Sequence, residues 1–213
     1  MSVIAKKGSI EIERLQLGPF GTNAYVVVDR ATKDSVIVDA PWEAGTIADR
    51  VGDSTVHYIL LTHGHGDHVE ALEDLCSRLD VPVGVHPQDA ARLPVPPDVE
   101  LQDGQTLAAG SIQLKVLHLP GHTPGSVGFL LPGYLLCGDT LFPGGPGKTS
   151  SPARLNEIIT SITEKIFTLP DGTLCLPGHG DGTTVGKARE GYQVFHSHAH
   201  KPGLCGDVLW LSS

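Results

Sequence analysis

The chain has 213 residues, 40% of them hydrophobic, and a formal net charge of −9; that size allows one large α/β core, expected to form a single domain over 1–213. The longest basic cluster is the Lys6-Lys7 pair, so a surface that tracks nucleic-acid phosphates is not expected. No apolar run is long enough to span a bilayer, and the N-terminus lacks the apolar stretch of a secretory signal, which predicts a cytoplasmic protein with no membrane partner.

In chain order, "AYVVVD" (24–29) and "SVIVDA" (35–40) read as two arms of a hairpin around 31–34. Ala44, Ile47, Ala48 and Val51 share a helical face, with Gly52 placed to end it. "YILLT" (58–62) is a continuous apolar run, as in a strand buried on both faces. Helical spacing follows in Val69, Leu72, Leu75, Cys76 and Leu79, then a strand over "VPVGVH" (81–86). Ile112, Leu114 and Val116 alternate like a half-buried strand, and "VGFLL" and "YLLCG" flank the turn signal Pro132-Gly133. Ser151-Pro152 is a cap followed by a first-turn proline, opening a helix with Leu155, Ile158, Ile159, Ile162 and Ile166 on one face. "TLCLPG" (173–178) reads as a last core strand. Cys76, Cys137, Cys175 and Cys205 lie far apart among apolar neighbours, so all four are expected to be buried and reduced.

Four apolar runs end in a candidate metal ligand: His63 after "YILLT", His122 after "LKVLHLPG", Asp139 after "YLLCG" and His179 after "TLCLPG". Strand ends are rigid and the loops beyond them are where α/β sheets place ligands. Within "HGHGDH" (63–68), His63 and His65 fall on one side of an extended segment. Asp67 and His68 fall beyond the corner, at a helix start that favours an anion. Six imidazole or carboxylate ligands, His63, His65, Asp67, His68, His122 and His179, together with Asp139, are more than one ion needs. They predict two divalent ions, zinc first, with iron or manganese possible. His57, His86 and His118 are read as structural, and the tract holding His196, His198 and His200 as a solvated segment.

"THGHGDH", "PGHTPGSVGF", "CGDTLF" and "PGHGDGTT" together resemble the metal motifs of the metallo-β-lactamase-fold hydrolases, most closely the glyoxalase II (hydroxyacylglutathione hydrolase) subgroup. The resemblance covers almost the whole chain and implies a four-layer αβ/βα sandwich with its ions at one edge. It implies that His63, His65 and His122 hold one ion, that Asp67, His68 and His179 hold the other, and that Asp139 bridges them. Lys148 falls where the subgroup places a basic residue that meets the thiol carrier. Only about thirty residues follow His179, "VDAPWE" stands where Asp-Pro-Gly is usual, and no Cys precedes the basic residue; these departures bear on glutathione as carrier rather than on hydrolysis.

The chemistry expected is attack by a metal-bridging hydroxide on a small anionic acyl thioester, with Asp67 as catalytic base and Lys148 binding the substrate's anionic group. Three alternatives share the residues. The first is a mononuclear-iron persulfide dioxygenase using His63, His122 and Asp139; the second is a lactonase or other ester hydrolase; the third is a non-catalytic metal-binding module.

Overall fold

The computed structural model describes residues 2–213. The alternating and fully apolar stretches of the first half become a sheet that starts as an antiparallel meander, β1 (Ser2–Lys7), β2 (Ile10–Leu17), β3 (Thr22–Asp29) and β4 (Asp34–Val38). It continues in parallel through β5 (Thr55–Leu60), β6 (Val83–Val85) and β7 (Val99–Glu100), in spatial order β1 to β7. Three helices lie between these strands: α1 (Ala44–Val51), α2 (Gly66–Val69) and α3 (Leu72–Leu79). β3 is buried along its whole length. Tyr25 and Val27 point to one core, while Ala24 and Val26 point to another shared with α1 and α3. Successive strand residues face opposite sides, and both faces of this sheet are covered.

The second half repeats the plan. β8 (Thr106–Ala109), β9 (Ile112–His118), β10 (Val127–Leu131) and β11 (Tyr134–Gly138) form an antiparallel run. A ribbon of β12 (Leu141–Phe142) and β13 (Gly145–Pro146) follows, then α4 (Pro152–Glu164), β14 (Leu174–Pro177), β15 (Thr183–Thr184) and α5 (Val185–His196). β14 returns parallel to β11, giving the order β15-β14-β11-β10-β9-β8. Side chains of β9 to β11 such as Val116, Phe129 and Leu136 meet those of β3 and β4 in a core between the sheets. Ile158, Ile162 and Phe195 of α4 and α5 cover the outer face. The layers are therefore helix, sheet, sheet, helix, as the motif resemblance implied.

The predicted cap is present, Ser151 Oγ accepting from the Arg154 amide with Pro152 in the first turn. Three expectations change. The helix read from Val69 to Leu79 is split, because the Ala71 amide donates to Ala40 and Pro41 carbonyls rather than into a continuous helix. The strand over 81–86 shrinks to Val83–Val85: Pro82 offers no N–H, and His86 caps a 3-10 turn at Pro87–Arg92. Cys137 and Cys175 are buried, but Cys76 is half-buried and Cys205 is exposed. Cys205 lies beyond α5 between Gly203 and Gly206, with its neighbour Leu204 turned to the core instead. Among the described residues, no helix is long and apolar enough to cross a membrane.

Candidate metal centre

Both sheets end at one edge, and hydrogen bonds sew them together there. The Val127 amide donates to Thr62, and the Asn23 amide to Gly178, at 2.7 Å. Asn23 Nδ2 and Tyr25 Oη both donate to the Pro177 carbonyl. The loops that follow β5, β9, β11 and β14 leave this seam and carry the seven predicted residues to one point.

His63, His65 and His122 form the first trio. Their ring centroids lie 4.7 to 4.9 Å apart, and His65 Nδ1 faces His122 Nε2 at 2.9 Å. Asp67, His68 and His179 form the second, with His179 Nε2 3.2 Å and His68 Nε2 3.8 Å from Asp67 Oδ2. Asp139 stands between them. Its Oδ2 is 3.6 Å from His122 Nε2 and 3.6 Å from His179 Nε2, while Oδ1 is 3.4 Å from His68 Nε2. The potential ligand atoms within each trio, and within the set His63, His68 and Asp139, all lie within 4.8 Å of one another.

The tautomers are set from outside. Asp39, buried at the end of β4, accepts from the Thr62 amide and hydroxyl at 2.8 Å and from His68 Nδ1 at 2.9 Å. With its proton committed to Asp39, the Thr62 hydroxyl accepts from His63 Nδ1 at 3.1 Å. Both rings therefore turn Nε2 inward. His122 Nδ1 donates to the Lys148 carbonyl at 2.8 Å, which also fixes that ring. This orientation of imidazoles through their outer nitrogens is the usual support of a metal site.

His63 Nε2, His68 Nε2 and Asp139 Oδ1 are buried and have no hydrogen-bond partner. Each such atom left unpaired costs about 1–3 kcal/mol, and three aimed at one point fit a cation that would satisfy them together. Gly178 keeps the space open: a Cβ there would lie 2.1 Å from Asp139 Oδ1 and 2.5 Å from His68 Cε1. The donor set of imidazoles and carboxylates suits a divalent ion.

Electrostatics divide the trios. Burial and the neighbouring imidazoles hold His63 well below, and His65 below, the ordinary histidine range. Burial also opposes a charge on His68, but the Asp39 and Asp139 carboxylates outweigh it and push the group up to about 10. Asp67 is pulled down to about 2, chiefly by its bond to His179, which rises in return. Asp139 is lowered; burial alone would raise it, and His68, His122 and His179 reverse the sign.

Two residues outside the predicted set complete the support. Asp39 is one. The other is Asp89, fully buried in the turn after β6. It accepts from the Gly64 amide at 2.9 Å, the Gly125 amide at 3.1 Å and the Thr123 hydroxyl at 2.7 Å, tying the His63–His65 loop to the His122 loop. The histidines read as structural stay outside the cluster. His57 bonds Asp34 at 2.7 Å, and His118 stacks on His86 at 4.1 Å and bonds the Pro124 carbonyl. His198 and His200 bond the Val194 and Phe195 carbonyls, and His196 stacks on Tyr192. Lys148 sits at the mouth of the site with its side chain 70% exposed and Nζ 3.7 Å from Asp207 Oδ2.

The architecture has known counterparts. The family model described as the metallo-beta-lactamase superfamily matches residues 17–179. The hydroxyacylglutathione hydrolase GloC of Haemophilus influenzae is 32% identical over 211 residues, covering 88% of this chain and 99% of that protein. The crystal structure of the BLEG-1 B3 metallo-beta-lactamase superposes with a TM-score of 0.77 at 30% identity, over 84% of this chain and 96% of that one. TTHA1623 in a di-iron-bound form does so with 0.70 at 33%, over 82% and 96%. With its family motifs converging on one divalent-metal site at the edge of two packed sheets, the chain belongs to the metallo-beta-lactamase superfamily.

Proposed function

We propose that the chain is a dinuclear metallohydrolase acting on small acyl thioesters, with zinc as the first choice of ion. The observation that carries the reading is the pair of complete trios joined through Asp139 at equal distances of 3.6 Å. A mononuclear iron oxygenase would need only His63, His122 and Asp139, and would leave the assembled Asp67, His68 and His179 without a role. The similarity to GloC, a hydroxyacylglutathione hydrolase, supports the thioester class.

In this reading His63, His65 and His122 would hold one ion and Asp67, His68 and His179 the second, with Asp139 placed between the two trios to serve either. Two such ions, when bound, lower the pKa of a shared water and polarise an ester carbonyl. The chain's own groups do the rest. Asp67, beside His179 at the mouth of the second trio, would orient the attacking water and receive its proton. Asp39 and the Lys148 carbonyl hold the imidazoles in the tautomers the site requires. The Lys148 ammonium, free to swing at the mouth, meets an anionic part of the substrate. A thiolate leaves readily, so no acid need be placed opposite Asp67.

Elemental analysis of the purified protein, run beside a panel of thioesters, lactones and a persulfide with an oxygen electrode, tests this. Two ions per chain with chelator-sensitive thioester turnover is the expected result. One iron with oxygen uptake would replace the reading with the oxygenase. Lactone turnover without thioester turnover would move it to another ester, and full metal with no turnover would leave a binding module.

A further inference from the structure

Two cavities adjoin the cluster, and their chemistry differs. One, of about 290 Å³, lies beside Asp139 and His179 and is walled largely by Phe142, Pro146, Val208 and Leu209, with Asp207 as its other carboxylate. The second, of about 370 Å³, lies beside His65 and His122 and is walled by Arg92, Lys148, Arg154 and Thr149. Lys148 borders both. In a chain with 24 acidic and only 15 basic residues, this second cavity gathers three cations and no carboxylate among its lining residues.

The cations are held but not spent. Arg92 Nε is 3.8 Å from Asp89 Oδ1, whose oxygens already accept from two amides and a hydroxyl. Arg154 pairs with Glu157 one turn along α4, and Lys148 approaches Asp207 only at 3.7 Å. The two guanidinium side chains are 45% and 36% exposed, so an incoming group reaches them. The Thr149 hydroxyl in the same wall is buried with no hydrogen-bond partner. Neither arginine falls in any of the four motifs that identify the site, so the feature is a property of this chain's pocket rather than of its metal ligands.

Resting on the hydrolase reading, we propose that the Arg92–Lys148–Arg154 cavity is a substrate subsite for an oxyanion, a carboxylate or a phosphate, carried at one end of the ester, while the apolar cavity takes the other end. Planar guanidinium forks match either oxyanion. A cleft of one sign in a protein of the other draws in its ligand by focusing the field.

The test uses matched pairs that differ by one charged group, on the metal-loaded protein. N-acetylcysteine and N-acetylcysteamine differ by a carboxylate; phosphopantetheine and pantetheine differ by a phosphate. Their acetyl thioesters give kcat/KM ratios, charged over neutral, and their S-ethyl thioethers give Kd ratios by calorimetry. Wild type is expected to prefer the charged member of at least one pair, and the pair that shows it identifies the oxyanion. In R92Q/R154Q that preference should fall roughly 10- to 100-fold, and in R154Q alone by less, with metal content and circular dichroism confirming an intact protein. Equal Kd values for charged and neutral thioethers in wild type would overturn the subsite, as would a preference that survives in R92Q/R154Q. If wild type turns over none of the thioesters, the hydrolase reading falls, while the thioether Kd ratios still decide the subsite.

Discussion

The two trios meet at the same edge, one made of three imidazoles and the other of two imidazoles and a carboxylate, and their protons are arranged in opposite ways. In the first trio, burial and the neighbouring imidazoles shift His63 and His65 toward the neutral form. His68 and His179 are pushed toward the charged form by Asp39, Asp139 and Asp67, so the second trio is neutralised by its own protons. A cation entering the first would meet rings already shifted toward neutral and break the His65–His122 hydrogen bond; to enter the second it would compete with protons. The difference comes from which carboxylates stand nearby, and it gives one centre two separate dependences on acidity.

Asp139→Ala breaks the comparison outright, because the residue touches both trios. Both ions should be lost and turnover should fall roughly 1,000-fold or more, read by elemental analysis and kinetics; retention of two ions would remove Asp139 from the bridge. Asp67→Asn should act on one side only, lowering turnover by roughly 100- to 10,000-fold while the ion of the first trio stays; undiminished turnover would strip Asp67 of its proposed role. Asp39→Ala releases His68 directly and His63 through Thr62, so affinity should fall in both trios by roughly 10- to 100-fold, as a competing chelator would measure. Asp89→Ala sharpens the contrast. It orphans the Gly64 and Gly125 amides, should cost about 3 kcal/mol of stability in urea unfolding, and should weaken only the first trio's ion. Acidity separates the trios without any substitution. With His68 at about 10 in the metal-free chain, each ion entering the second trio releases a proton at neutral pH. Its affinity should therefore rise with pH above neutrality more steeply than that of the first trio, whose His63 and His65 are shifted toward the neutral form. Ion titrations across pH that show equal slopes for both ions would refute the assignment.

The sequence showed some of this directly and hid the rest for a physical reason. A ligand that ends an apolar run can be read along the chain, and His63, His122, Asp139 and His179 do so; "HGHGDH" supplies the others. Asp39 also ends an apolar run, "SVIV", and the same rule could have found it, but it looks like a hairpin end until Thr62 and His68 are seen against it. Asp89 carries no such signal. It sits in "HPQDAARL", and its partners lie 25, 34 and 36 residues away, so only the folded chain reveals it. The gathering of Arg92 and Arg154 around one cavity is hidden for the same reason. The helix break at Ala71 likewise depends on carbonyls of Ala40 and Pro41 that local spacing does not include.

The seven residues are divided between the halves of the molecule. Those from His63 to His68 follow β5 in one sheet, and His122, Asp139 and His179 follow strands of the other. Ions bound there would act as removable cross-links, and thermal resistance would become a function of metal supply. A thousandfold excess of free ion over its dissociation constant adds about 4 kcal/mol per site against melting. A cell short of metal would then hold not merely a silent protein but a more fragile one, opened first along the seam where the two sheets meet.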